Sequence, residues 1–275
     1  MTFPPKVVPM NASRFSALFL LTVLISPGAS LAQSEPPQKS SASVSTAASA
    51  SGALSATTSD YVVSVQELKM AGKGRKAFDQ GTRLLLKGDP AGSLPLFQRA
   101  IGEYPGHYKA YYNMGIAHYR LGHIADAEQA FQKSIDLTAG AYGPPQFAMG
   151  MVLCEEHDFR QAETTIQRGL DVDPGSATGK YFLGWAQFAL NRLVDAERSV
   201  RQALVRRANF PDAYFLLARI HQRQNNAPAV VEDLNAYLKL DPDSRGNAQA
   251  RALLEKTQQA LEQNPDPVAL DAANP

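Results

Sequence analysis

The side chains best suited to chemistry in this chain are five histidines, one cysteine and one glycine-and-lysine turn. His118 and His123 stand five apart across a helix end, a spacing that does not put both on one helix face. There is no HExxH pair that would hold zinc, and no carboxylate–histidine pair is evident. His107, His157 and His221 fall at scattered turn or helix-surface positions. Cys154, the lone thiol, makes neither an intramolecular disulfide nor a zinc site by itself. His157 is one turn away on the same predicted helix, but the pattern around Cys154 fits a small apolar groove-lining residue. Asp173 to Tyr181 (DPGSATGKY) has the look of a phosphate loop. Its glycines are one residue too close, Tyr181 stands where Ser or Thr should hold magnesium, and no strand precedes it. No G-x-S-x-G, kinase or Rossmann signature occurs. These residues therefore predict no catalytic site, metal, cofactor or bound nucleotide, and the chain reads as a holder of other molecules.

What must position a binding surface is read from composition first. The chain has 275 residues, 44% hydrophobic and 19% charged, with a formal charge of +1, which is ordinary globular composition. A charge so near zero argues against a nucleic-acid binder or a polybasic membrane binder.

The N-terminal residues 1–32 read as a secretory leader. Lys6 and Arg14 supply the positive region, Phe15 to Ile25 the apolar run, and Ser30-Leu31-Ala32 the small-x-small cleavage pattern. The rival is an uncleaved anchor, but eleven apolar residues are about half of the roughly 20 that span a bilayer. No cysteine near the cleavage point allows a lipid anchor. Cleavage after Ala32, export to the periplasm or exterior, and no membrane span in the processed chain are the expectations. Residues 33–60, nearly all Ser, Ala, Thr, Gln and Pro, cannot bury enough apolar surface to offset ordering entropy and read as a spacer.

Beyond the spacer the chain repeats itself. Gly81, Gly115, Gly150, Gly184 and Ala218 recur at spacings of 34, 35, 34 and 34. Twelve residues after each comes Ser93, Ala127, Ala162, Ala196 or Val230, and four further on Phe97, Phe131, Ile166, Val200 or Leu234. A period in this range signals stacked supersecondary units. Each unit reads as two helices. Gly88, Gly122 and Asn191 fall where a helix end favours a left-handed residue. Asp89-Pro90 is an N-cap followed by Pro at the first helical position. Pro105, Pro174 and Pro242 close the second helix. Small residues let the two helices approach, large ones fill the gap to the next unit, and the array folds only as a stack.

These residues resemble the tetratricopeptide repeat family, whose signature is aromatic, Leu-Gly, aromatic, small, aromatic, small, Pro at fixed offsets. Tyr111, Gly115, Ala127 and Phe131 carry it in the second unit, and Tyr214, Leu217, Ala218, Leu234 and Pro242 in the fifth. The resemblance implies an all-α, right-handed solenoid of five helix-turn-helix repeats. They would occupy residues 74–107, 108–142, 143–176, 177–210 and 211–244, with a lead-in at 61–73. A capping helix would follow at 245–263 and a frayed tail at 264–275. Ala139 and Ala208 replace the terminal Pro, and the third unit carries an extra residue near Gly143-Pro144-Pro145. Irregular joints are expected after the second and fourth units.

The resemblance also places binding on a concave face lined by the first helices. Its fifth position reads Phe78, Tyr112, Phe147, Tyr181 and Phe215. The ninth reads Thr82, Ile116, Met151, Trp185 and Arg219, and the twelfth includes Tyr119, Cys154 and Phe188. Phe78, Tyr112, Ile116, Tyr119, Phe147, Met151, Tyr181, Trp185, Phe188 and Phe215 are the candidate groove residues, the competing assignment being core between repeats. The carboxylate clamp of chaperone-binding members would need Lys, Asn or Arg at Phe78, Thr82, Asn113, Pro144 and Ala148. Only Asn113 fits. The leading expectation is an exported scaffold that binds a peptide or partner protein in an apolar-aromatic groove. A structural component of the envelope or of a complex, using convex face and edges, is the alternative. An accessory to a cell-wall or secretion enzyme is the third.

Overall fold

The computed structural model describes residues 72–242 and 246–263. The leader, the spacer, nearly all of the lead-in and the tail lie outside the described residues. Those described form helices and no strand. The first helices of the repeats are α1 (Gly72–Leu86), α3 (Tyr108–Arg120), α5 (Pro144–Glu155), α7 (Ala177–Ala189) and α9 (Pro211–Arg223). The second helices are α2 (Pro90–Glu103), α4 (Ile124–Leu137), α6 (Phe159–Val172), α8 (Leu193–Arg206) and α10 (Ala227–Leu240), followed by α11 (Asn247–Gln263). Each helix packs chiefly on its chain neighbours, more extensively within a pair than between pairs, and successive first helices also touch. This is a solenoid of five helix pairs with a capping helix.

The helix starts follow from their residues. Asp89 Oδ1 accepts the Gly92 N–H at 2.8 Å, Asp158 Oδ1 that of Gln161 at 3.2 Å, and Asn226 Oδ1 that of Ala229 at 3.3 Å. Ser176 Oγ accepts the Gly179 N–H at 3.1 Å, so the segment with the look of a phosphate loop is the capped start of α7. Between the two helices of every pair one residue is left-handed: Gly88 (φ 84°), Gly122 (78°), His157 (67°), Asn191 (61°) and Asn225 (57°).

Inside each pair the small residue is held small by its partner helix. A β-carbon on Gly115 would lie 2.6 Å from the Phe131 ring and 3.1 Å from the Ala127 carbonyl oxygen. The same relation joins Gly81 to Phe97, Gly150 to Ile166 and Gly184 to Val200. The two joints without a terminal proline, α4 to α5 and α8 to α9, are the least extensively packed of the four. The first of them spans Thr138 to Gly143, where Ala139 and Gly140 are both left-handed (φ 48° and 79°) and Gln146 Nε2 donates to the Gly140 carbonyl at 2.9 Å. Tyr142 fills this wider joint, edge-on to the rings of Tyr108 and Tyr112 at 5.0 and 5.9 Å.

Candidate functional site

The first-helix face is the candidate surface, and the structure separates the ten sequence-predicted residues by exposure. Tyr112, Ile116, Tyr119, Phe147, Met151, Tyr181, Phe188 and Phe215 are buried in the free chain, none more than 9% exposed. Phe78 and Trp185 are half-buried at the margin of the same core. Ile116 and Met151, at the ninth position itself, are fully buried in the same core cluster. For the fifth and twelfth positions the physical reason is helical rotation: at 3.6 residues per turn they are turned roughly 40–60° away from the ninth, into the joint between repeats. Phe147 shows this best: its ring sits where β-carbons on Gly169 and Gly179 would be, 2.6 and 2.5 Å away. Tyr181 packs on Phe210 with ring centroids 4.8 Å apart. Phe215 belongs to a separate C-terminal cluster with Tyr237, at 5.2 Å. Buried this way, these eight side chains have almost no area to give to a partner while the repeats stay packed.

Other residues carry the accessible part of the face. At the ninth position Thr82, Trp185 and Arg219 are half-buried. At the thirteenth are half-buried Arg120 and Glu155 and exposed Arg223. Several of them staple repeats together. Arg120 donates to the Leu85 carbonyl, and Arg223 donates to the Phe188 carbonyl at 3.2 Å, so each cation caps the C-terminus of the preceding first helix. The Tyr119 hydroxyl donates to Glu155. Burial pushes the Glu155 carboxyl up, and that hydrogen bond opposes the shift. Asn113 Nδ2 donates to Thr82 Oγ1 at 3.0 Å, which commits the one residue that fitted a carboxylate clamp to an inter-repeat bond.

Four groups stand differently from their sequence-based placement. Cys154 is buried and burial pushes its thiol up, which makes it inert. His157 is not on its helix, since α5 ends at Glu155 and His157 occupies the left-handed turn. His221 is not at the surface: it is 3% exposed, with Nδ1 2.6 Å from Asp233 Oδ2 and Nε2 3.5 Å from Glu197 Oε1. A carboxylate–histidine pair therefore exists. It links the two helices of the fifth repeat, as Ser199 donating to Gln187 Oε1 at 2.7 Å does in the fourth. The fourth group is the pair His118 and His123. Gly122 turns the chain back, the His123 N–H donates to the His118 carbonyl at 2.9 Å, and one ligand atom each of His118, His123 and Asp126 come within 4.8 Å of one another. Beside them lies a surface cavity of about 480 Å³ between α3 and α4, lined among others by Tyr111, Met114, Gln129 and Lys133.

Asp212, at the start of α9, was not singled out by the sequence. Burial raises its carboxyl to about 6; the Arg207 guanidinium pulls against this and Asp241 adds to it. The large apolar residues most open to solvent lie mainly on second helices: Val205 is 83% and Val194 67% exposed, both on α8. No described helix is long and apolar enough to cross a membrane.

Stacked helix pairs of this kind define a repeat solenoid with an extended face along its first helices. The tetratricopeptide repeat family model matches residues 78–144, 147–209 and 195–245, more than half of the chain, which therefore belongs to the tetratricopeptide repeat family. Tetratricopeptide repeat protein 16 of Mus musculus is 26% identical over 190 residues, covering 67% of this chain and 24% of the relative. The chain thus spans about a quarter of the length of that curated relative. Among solved structures, a thermophilic TPR protein of Thermus thermophilus is 18% identical with a TM-score of 0.57, over 68% of this chain and 99% of that one. MamA from Desulfovibrio magneticus RS-1, residues 41 to the end, is 19% identical with a TM-score of 0.52, over 64% of this chain and 99% of that one. Both likenesses are of fold.

Proposed function

We propose that this chain is an exported, non-catalytic scaffold that takes a peptide or helical segment of a partner protein along its first-helix face. Trp185 would be the central anchor and Phe78 a second contact. The buried residues of the same columns (Tyr112, Ile116, Tyr119, Phe147, Met151, Tyr181, Phe188 and Phe215) would form the rigid bed beneath. The observation that carries this reading is that the chain's one tryptophan, with Phe78, is only partly buried on a face whose other candidate aromatics are packed away. Tryptophan and arginine are the residues most often found as interface hot spots, and Arg219 stands at the same register in the next repeat. An apolar or aromatic segment bearing a carboxylate suits that pairing. The leader pattern at Lys6, Arg14, Phe15 to Ile25 and Ser30 to Ala32 supports export.

A second reading has its own observation. Val194 and Val205 expose apolar surface on α8, away from the first helices, and would serve a structural role through the opposite face. Retention of partners from the exported fraction by wild-type and Trp185→Ala protein separates the two. Loss with Trp185→Ala supports the groove; unchanged retention supports the other face. Intact mass of exported protein tests processing, with a chain beginning at Gln33 expected and one that retains Phe15 to Ile25 excluding cleavage.

A further inference from the structure

We infer that His118, His123 and Asp126 form a binding site for a first-row transition cation of the zinc type at the turn of the second repeat. The turn builds the site. Leu121 ends α3, Gly122 is left-handed at φ 78°, and the His123 N–H closes back onto the His118 carbonyl at 2.9 Å. His123 then stands at the N-cap of α4 without making a side-chain capping bond, which leaves its imidazole unengaged in the helix start. Asp126 follows in the first turn of α4. His118 Nδ1 points to Asp126 Oδ2 at 3.9 Å, too long for a hydrogen bond, and is withdrawn from solvent with no hydrogen-bond partner. Its ring centroid lies 5.8 Å from that of His123.

Two imidazoles and a carboxylate are a zinc-type donor set, whereas an all-oxygen set would suit calcium or magnesium. Ligand atoms around a tetrahedral ion at the usual bond lengths are roughly 3.3–3.5 Å apart. The three atoms here are within 4.8 Å of one another. His123 and Asp126 are exposed, so their side-chain torsions can close the gap around the less mobile His118. His118 and Asp126 also line the cavity between α3 and α4, which would admit water or a donor from a partner to complete the coordination. Lys133 and Asp136 on the same wall carry opposite charges and leave no net repulsion of a cation.

The test is titration of untagged, chelator-stripped protein with Zn²⁺ by calorimetry, and with Co²⁺ by visible absorption. One saturating equivalent is expected, with a Co²⁺ spectrum of mixed nitrogen and oxygen ligation. His118→Ala, His123→Ala and Asp126→Asn should each weaken binding by at least about tenfold, with far-ultraviolet dichroism unchanged for the two exposed positions. His157→Asn, at the matching turn of the third repeat, should leave the titration as it is. The inference is overturned if the wild-type chain shows no saturable binding, or if the His123 and Asp126 variants bind as tightly as wild type.

Discussion

The Arg223 guanidinium lies over the Phe188 ring, 4.3 Å from its centroid, and donates to the Phe188 carbonyl at 3.2 Å. A residue of the fifth repeat thus covers the last turn of the first helix of the fourth, both by cation–π contact and by capping. Phe188 is 1% exposed beneath it. Three residues earlier on the same helix, Trp185 remains half-buried.

This difference gives the first prediction. Phe188→Ala empties a core position and should cost about 3–5 kcal/mol of unfolding free energy. Trp185→Ala removes a side chain at the margin of the core, already in part solvated, and should cost less, about 2–3 kcal/mol. Chemical denaturation of the two variants checks the ranking, and equal losses would make Trp185 a core residue as well.

Backbone strain gives the second. His157 holds the left-handed position that glycine or asparagine holds in the other four repeats. His157→Gly should stabilise the chain by about 0.5–1 kcal/mol, the relief of left-handed strain less the added freedom of the unfolded chain. A thermal melt decides it, and a lower melting temperature would mean that the packing of His157 on Phe159, at 5.7 Å between centroids, outweighs the strain.

The third concerns pH. Asp212 has a carboxyl raised to about 6 by burial, against about 4 in an unfolded chain. The folded state therefore holds the proton more tightly than the unfolded state. Its contribution is fully present below about pH 4 and is lost as pH rises to about 6. Asp212→Asn should remove that part of the slope and raise stability at pH 7 relative to wild type. Unfolding curves across pH 4 to 7 measure it, and a variant with the wild-type slope would place the titration elsewhere.

Most of the fold was legible because its determinants are local and periodic. Gly115 and Ala127 sit at the point where α3 and α4 touch, so their spacing reports the contact directly. The Asp89-Pro90 start and the left-handed turns at Gly88, Gly122 and Asn191 come from single-residue chemistry. Helix rotation was less legible. Phe147 and Tyr181 occupy columns that look like groove; the Phe147 ring fills space left by Gly169 and Gly179, and Tyr181 packs on Phe210, contacts that the repeat period does not report. The His221–Asp233 pair was missed because its members are twelve apart in sequence and meet only through antiparallel packing. The same twelve-residue offset separates each small residue from its partner in the next helix, so the signal was present. His118 and His123 were placed on either side of a helix end and not on one face; that the left-handed turn at Gly122 folds the chain back and brings them together is a three-dimensional consequence the spacing does not show.

The central claim is that a partner lies along the first-helix face at Trp185. A photo-cross-linking phenylalanine analogue placed at position 185, and separately at position 205 on α8, tests it in exported protein. Adducts at 185 and none at 205 are predicted, with Phe78→Ala reducing the yield at 185. Adducts at 205 with none at 185 would contradict the account and move the interaction to the second-helix face.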